Sequence, residues 1–317
     1  MRAQSHILHR ALAPASGDPW LGVWRLVDPK ITLASAASML LGAALASSDG
    51  SLAWGWLALT VLGIFCIEAA KNASGEVFDW DSGADAAVAE EDRSPFSGGK
   101  RVLVEGLLTR RQTWAVALLG YGFGAGIGLV IAACCEPRVL VVGLAGIALA
   151  FFYHAPPLRL SYRGLGELAV AIAYGPLVCA GTYLVQRHAL PARVILAALP
   201  LGIAIAAFLW INEFPDRRAD EKAGKRTLVV RLGAARASAY FTALVAATWT
   251  GIALLPLSGL SRGVWLGAIG LPFSVAAARR LGASAQTTRE IIPAQKWTLL
   301  WFVLLSLGES LGLVLAR

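Results

Sequence analysis

Apolar residues run along this chain in blocks of roughly 18–22, and each block is closed by a short polar segment. That length matches the ~30 Å of hydrocarbon a membrane-spanning helix must cross. The blocks predict an all-α fold with nine spans. These are Ile31–Ser47, Leu52–Phe78, Thr113–Cys135, Val139–Tyr153, Leu165–Gln186, Val194–Ile211, Ala239–Leu257, Val264–Ala278 and Thr298–Leu315. The fourth and eighth are shorter than the rest. The first 30 residues are mixed polar and lack a sustained apolar core, so no cleavable signal peptide is visible. Trp20, Leu21, Val23 and Trp24 suit a membrane interface. The expected organisation is an interfacial N-terminal segment, 1–30, followed by one transmembrane domain, 31–317.

Composition supports the pattern. Hydrophobic residues make up 57% of the 317 and charged residues 15%, whereas a soluble domain carries about 25% charge. The net charge of +8 is therefore first a topology signal, and a nucleic-acid partner is not expected. With the N-terminus inside, 23 of the 28 Lys and Arg residues fall on one side. Lys71, Lys100, Arg101, Arg217, Arg218 and Arg236 belong to that set. The expected location is a bacterial inner membrane with this side toward the cytoplasm. Cys66, Cys134, Cys135 and Cys179 lie in or beside apolar runs without metal-ligand spacing and read as small packed hydrophobes. The glycines at 120, 122, 124, 126 and 128 read as helix packing.

Two polar stretches on that side break the monotony. Asn72, Glu76 and Asp79 are spaced i, i+4, i+7 at the end of one apolar run, and Asp85 follows. About 140 residues on, Asn212, Asp216 and Asp220 are spaced i, i+4, i+8. Each set shares one helical face. Each gives way to a basic, glycine-containing loop, Ser97–Arg101 and Ala223–Arg226. Two like charges 4 Å apart cost about 1 kcal/mol in water and about 4 kcal/mol at an effective dielectric of 20. Facing acids therefore call for cations. Mg²⁺ on oxygen ligands that shares its coordination with substrate phosphates answers the need.

The expected metal ligands are Asn72, Glu76, Asp79, Asp85, Asn212, Asp216 and Asp220. Lys30, Arg159, Lys225 and Arg226 are placed to grip a diphosphate. Asp79, Asp216, Lys225 and Arg159 form the expected catalytic set. Glu90, Glu91, Asp81 and Asp92 read as solvated loop charge. Glu213 points about 100° away from Asn212 and stays unassigned. Pro215 is expected to kink its helix, and His154 reads as a helix-end polar residue. These parts suit ionisation of an allylic diphosphate, with cations stabilising the leaving group and apolar walls excluding water. The non-enzymatic alternative is a secondary transporter with paired acidic sites. Such sites lie near the membrane midplane, whereas these acids gather at the rim.

The motifs resemble the UbiA superfamily of intramembrane prenyltransferases, and within it the 1,4-dihydroxy-2-naphthoate polyprenyltransferases. The likeness rests on Asn72…Glu76-x-x-Asp79…Gly83-x-Asp85, on Tyr153-x-Ala-Pro-Pro with Tyr162-x-Gly-Leu-Gly-Glu167, and on Gly175-Pro176…Gly181-Thr-Tyr183. Its longest part runs from Asp216 through Asp220 and Ala-Gly-Lys-Arg-Thr-Leu-Val-Val-Arg-Leu to Gly233. The resemblance extends from about Asp28 to the last span. It implies two four-helix halves plus one helix, two Mg²⁺ ions and a diphosphate held by the aspartate motifs under a cytoplasmic cap. It further implies a polyprenyl diphosphate donor, an aromatic acceptor and a place in menaquinone biosynthesis. Other acceptors, such as 4-hydroxybenzoate, a chlorophyllide-type ring or a lipid headgroup, are the alternative. The chain departs from the family pattern at three points. It has Gly75-Glu76 where the usual motif has Asn-Asp, Glu213 where a second Asn is frequent, and Gly83 where 4-hydroxybenzoate enzymes carry Asp.

Overall fold

The structure is a computed structural model, and it describes residues 17–284 and 287–316. Among the described residues every regular element is helical. A short helix α1 (Pro19–Val27) with exposed Trp20 and Trp24 leads into α2 (Pro29–Ser48) and α3 (Trp54–Ser82). After a one-turn helix α4 (Ala84–Ala87) and a long loop come α5 (Arg110–Cys134) and α6 (Val139–Phe152). Helix α7 (Gly166–Arg187) contains a wide π-turn at Ala173–Leu177 around Gly175 and Pro176. Then follow α8 (Ala192–Lys222), α9 (Leu228–Leu254), α10 (Leu271–Ser284) and α11 (Thr288–Leu315).

Six of these helices are long and apolar enough to cross a membrane, or seven if α1 and the following helix form one bent span. This makes the chain an integral membrane protein. All nine expected stretches are helical, but two are not ordinary spans. Helix α6 has 14 residues, about 21 Å at 1.5 Å per residue, short of the ~30 Å hydrocarbon thickness. The eighth stretch divides into a 3₁₀ segment, Arg262–Gly270, and α10. The cause is close backbone packing on α11. A Cβ added at Gly263 would lie 2.1 Å from the Gly312 carbonyl oxygen, and one at Gly308 2.3 Å from that of Leu266.

The core between α2, α7, α8, α9 and α11 is closed by Leu41, Leu201, Phe241, Trp301 and Phe302, all fully buried or nearly so. Two helices overrun the bilayer. Helix α3 has 29 residues and α8 has 31, about 43 and 46 Å. The excess carries Asn72–Ser82 on one and Asn212–Lys222 on the other. Gly83 ends α3 in the left-handed region (φ 81°), and Gly224 does the same after α8 (φ 73°), so each acidic turn is followed by a sharp reversal. Pro215 lies inside α8 without ending it; the helix runs on to Lys222.

Candidate active site

The two overhanging turns meet at the mouth of one cavity of 890 Å³. Its deep wall is apolar, with Ile64, Ile67, Ile127, Leu144, Ile147, Leu177 and Phe208 drawn from α3, α5, α6, α7 and α8. Its mouth carries Asn72, Glu76, Asp79, Asp85, Asn212, Asp216 and Lys225. Asp220 and Lys225 join the two motifs. The backbone N–H of Lys225 donates to the Asp220 carbonyl at 2.8 Å, which turns its side chain inward. Nζ then stands 3.9 Å from Asp79 Oδ2 and 3.5 Å from Asp220 Oδ1. Burial alone would lower the Lys225 pKa, but the facing charges of Asp220 and Asp79 outweigh it and hold it well above the ordinary value.

Asp79 is also fixed by the Tyr162 hydroxyl, which donates to Oδ1 at 2.9 Å. Tyr162 lies 2.6 Å from the Ser82 hydroxyl. His154 Nε2 stands 3.6 Å from Asp79 Oδ2. Burial keeps that imidazole down at about 3, against the pull of Asp79, so it is neutral. His154 also explains the missing amide of the first motif. A Cβ at Gly75 would come 2.6 Å from His154 Cε1, so the ring occupies the room a side chain at 75 would need.

Glu76 accepts a hydrogen bond from the Leu103 backbone N–H at 2.9 Å, which ties α3 to the loop above it. Asp85 is buried under Gly99, where a Cβ would lie 2.3 Å from its Oδ1. Burial and the charges of Glu76 and Asp79 raise its pKa well above the usual carboxylate range. Asn212 Oδ1 accepts from Gln295 Nε2 at 3.0 Å.

The loop from 88 to 109 roofs the mouth through Phe96, Ser97, Gly99, Lys100 and Arg101. One of its anchors corrects the sequence reading. Asp92, expected to be solvated, is buried. Arg218 reaches it from α8 with Nε and Nη2 at 3.0 and 2.9 Å, and the Thr288 hydroxyl donates to it at 3.3 Å. The acid is drawn in because a bidentate partner and a hydroxyl compensate its desolvation. Asp81 is held as well, by Arg110 at 2.8 Å.

The expected phosphate-binding residues divide. Lys225 lines the cavity. Arg226 is exposed, and its backbone N–H donates to the Tyr162 carbonyl at 3.1 Å. Arg159 stacks its guanidinium 4.5 Å over the Tyr162 ring and is not among the cavity-lining residues. The Lys30 side chain lies outside the described residues. The sequence reading passed over Arg25, Lys100 and Arg101, which do line the mouth; Lys100 Nζ stands 3.5 Å from Asp28 Oδ2. For Lys100 and Arg101 the signal was the Gly98-Gly99 pair just before them, which turns a basic dipeptide toward the mouth.

Among the described residues, no three His, Cys, Asp or Glu side chains gather closely enough to form a metal cage. The donor chemistry nevertheless suits a hard cation. Asn72 Oδ1 and Asp216 Oδ1 are buried, line the mouth and have no hydrogen-bond partner, and the surrounding donors are oxygens. Lys225 stands where a shared cation would otherwise balance Asp79 and Asp220.

The sequence signature described as "UbiA prenyltransferase family" covers residues 35–308. A 1,4-dihydroxy-2-naphthoate octaprenyltransferase of Bacillus subtilis is 26% identical over 237 residues, covering 75% of this chain and 74% of that protein. A protein of the same name from Escherichia coli is 30% identical over 260 residues, covering 79% and 82%. In fold, a UbiA homolog from Aeropyrum pernix superposes with a TM-score of 0.67 at 19% identity, over 87% of this chain and 96% of that one. A UbiA homolog from Archaeoglobus fulgidus bound to GPP and Mg²⁺ gives 0.60 at 18% identity, over 91% and 99%.

Proposed function

We propose that this chain, which belongs to the UbiA prenyltransferase family and is a polyprenyl transferase, moves a polyprenyl group from an allylic diphosphate onto an aromatic acceptor with the help of Mg²⁺. The acceptor in this reading is 1,4-dihydroxy-2-naphthoate, on the way to menaquinone. The names of the Bacillus and Escherichia relatives support that choice. The charge bias of the loops supports a bacterial inner membrane with the mouth toward the cytoplasm. Residues 31–317 then act as one membrane-embedded catalytic domain.

One observation carries the reading. Lys225, from the second motif, stands within 4 Å of a carboxylate from each motif, at the lip of an apolar chamber. Asn72, Glu76, Asp79, Asp85, Asn212, Asp216 and Asp220 are the residues that would hold Mg²⁺. When bound, the metal supplies charge stabilisation for a departing diphosphate. The chain's own groups do the rest. Lys225, Lys100 and Arg101 present donors to phosphate oxygens from the floor and roof of the mouth. Tyr162 orients Asp79 through its hydrogen bond. The roof of 88–109 and the aliphatic walls keep water from the allylic carbon while the tail lies in the chamber. Arg159 acts through Tyr162, whose ring it covers, and Arg226 acts through the backbone turn it closes.

Purified protein supplied with geranylgeranyl or longer diphosphate and a panel of aromatic acceptors is expected to give a prenylated product by mass spectrometry. Chelation of Mg²⁺ is expected to abolish it. Diphosphate release that persists in both Asp79→Ala and Asp216→Ala variants would defeat the mechanism. A second reading, a different aromatic acceptor, is favoured by the Gly75–His154 exchange at the mouth, and the same panel separates the two.

A further inference from the structure

Glu167 closes the run Tyr162-x-Gly-Leu-Gly-Glu167 yet lies off the cavity wall. It stands in the first turn of α7 and is 5% exposed. Its carboxylate reaches across to another helix. Oε1 accepts the backbone N–H of Leu228, the first residue of α9, at 2.8 Å. That N–H is one of the donors a helix leaves without an internal partner at its start.

The segment this bond holds is the one that carries Lys225. The Lys225 N–H donates to the Asp220 carbonyl at 2.8 Å, and the Arg226 N–H to the Tyr162 carbonyl at 3.1 Å. Thr227 caps α9, its hydroxyl accepting from the Val230 N–H at 3.3 Å. The Leu228 N–H then goes to Glu167. Arg231 closes the far side, with Nη2 2.7 Å from the Arg163 carbonyl oxygen and Nε 3.0 Å from that of Arg226. The turn at 160–167 is thus a template along which 225–231 is laid. Among the described residues, Glu167 makes the only side-chain hydrogen bond that the turn gives to this segment.

Lys225 depends on such a template. A lysine ammonium sits on a flexible four-carbon stem, so its aim follows from where its backbone is held. Nζ stands within 4 Å of Asp79 and Asp220 together, and the residue before it, Gly224, is a left-handed joint (φ 73°). Glu213 of α8 lies close enough to Glu167 for the two acids to act on each other. A second negative charge beside it is unfavourable, which leaves the acceptor oxygen as what the position supplies.

We propose that Glu167 is a positioning residue for Lys225: by holding the first N–H of α9 it fixes the segment from which the lysine reaches the diphosphate. It performs no bond-making step and touches no substrate. This rests on the prenyl-transfer reading and adds to it the group that sets the aim of its lysine.

The test is equilibrium binding of inorganic diphosphate, with Mg²⁺ present, to the purified full chain, with melting temperatures measured alongside. Glu167→Ala is expected to weaken binding by about tenfold, the scale of one hydrogen bond to a charged group. Glu167→Gln keeps a carbonyl oxygen in the same place and is expected to bind as wild type does. In a Lys225→Met background, itself weaker, Glu167→Ala is expected to add less than about twofold, because residues that act through one another do not add. Leu228→Pro removes the donor instead. Proline suits the first position of a helix, and Thr227 is already extended (φ −60°, ψ 165°), as the residue before proline must be. That variant is expected to match Glu167→Ala and serves in its place should Glu167→Ala not fold. Equal losses from Glu167→Ala with and without Lys225 would mark a merely structural role and overturn the proposal. Glu167→Gln behaving like Glu167→Ala would overturn it too, as would undiminished binding in Leu228→Pro. A wild type that binds no diphosphate would overturn the prenyl-transfer reading together with this proposal, whereas the variant results overturn the proposal alone.

Discussion

At the end of the bundle away from the mouth, Asp49 receives Arg193 at 2.7 and 2.8 Å and the Tyr183 hydroxyl. Glu136 at that end receives Arg138 at 2.7 and 2.8 Å and faces His188 at 3.2 Å. At the mouth, by contrast, Asp79 and Asp220 share one lysine, and among the described residues Asn72 Oδ1 and Asp216 Oδ1 have no hydrogen-bond partner. The acids at the far end thus sit in satisfied ion pairs, while those of the two motifs are crowded at the mouth. The satisfied end serves the fold. The crowded end keeps ligand capacity at the expense of stability, as functional sites do.

The sharpest way to break this contrast is to neutralise one carboxylate at each end. Asp216→Asn is expected to lower prenyl transfer by about a thousandfold, with a melting temperature unchanged or raised. Asp49→Asn is expected to lower the melting temperature and leave turnover intact. Comparable turnover losses at both ends would remove the distinction.

A smaller effect probes how the mouth is packed. Gly75→Ala drives a methyl into His154, and a displacement of about 1 Å at a reacting centre costs up to about a hundredfold in rate. Adding His154→Ala opens the room, so the double variant is expected to recover most of the activity. A double variant no better than Gly75→Ala alone would show that the clash is not the cause.

The smallest expected effect sharpens the quiet end. The hydrogen bonds from Arg138 hold Glu136 down at about 2, from an ordinary value of 4.5. The unfolded chain therefore binds the proton first, and the stability this group contributes is present above 4.5 and lost as pH falls through about 2. Glu136→Gln is expected to melt lower than wild type at neutral pH and to converge with it as pH falls through that window, with turnover at neutral pH unaffected. A melting difference that stays constant with pH would contradict the assigned shift.

Much of this was readable from the chain itself. Apolar block lengths located every long helix, and the i, i+4 spacing of acids located both halves of the mouth, because helical periodicity is local. What escaped was decided by distant partners. Asp92 looked like loop charge because Arg218 lies far along the chain. Lys225 and Arg226 are neighbours, and only the turn at Gly224 decides that the first faces inward. Lys71 was counted among the loop cations, and Glu68 passed unnoticed within an apolar run, since nothing local reveals that Tyr174, about a hundred residues away, hydrogen-bonds to both. Helix α6 is short because its apolar block is short; the 3₁₀ geometry of Arg262–Gly270 came from close packing on α11, which block length does not encode.

The glycines divide the bundle into a rigid seam and a slack wall. Between Gly263 and Gly312 the two backbones touch so closely that even one methyl group has nowhere to go. Across the cavity, Gly128 of α5 and Gly143 of α6 line the chamber with nothing within 4 Å of where a methyl would sit. Under the proposed function, alanine or valine at those two positions is expected to shorten the tail the chamber admits, while the seam between the two backbones stays as it is.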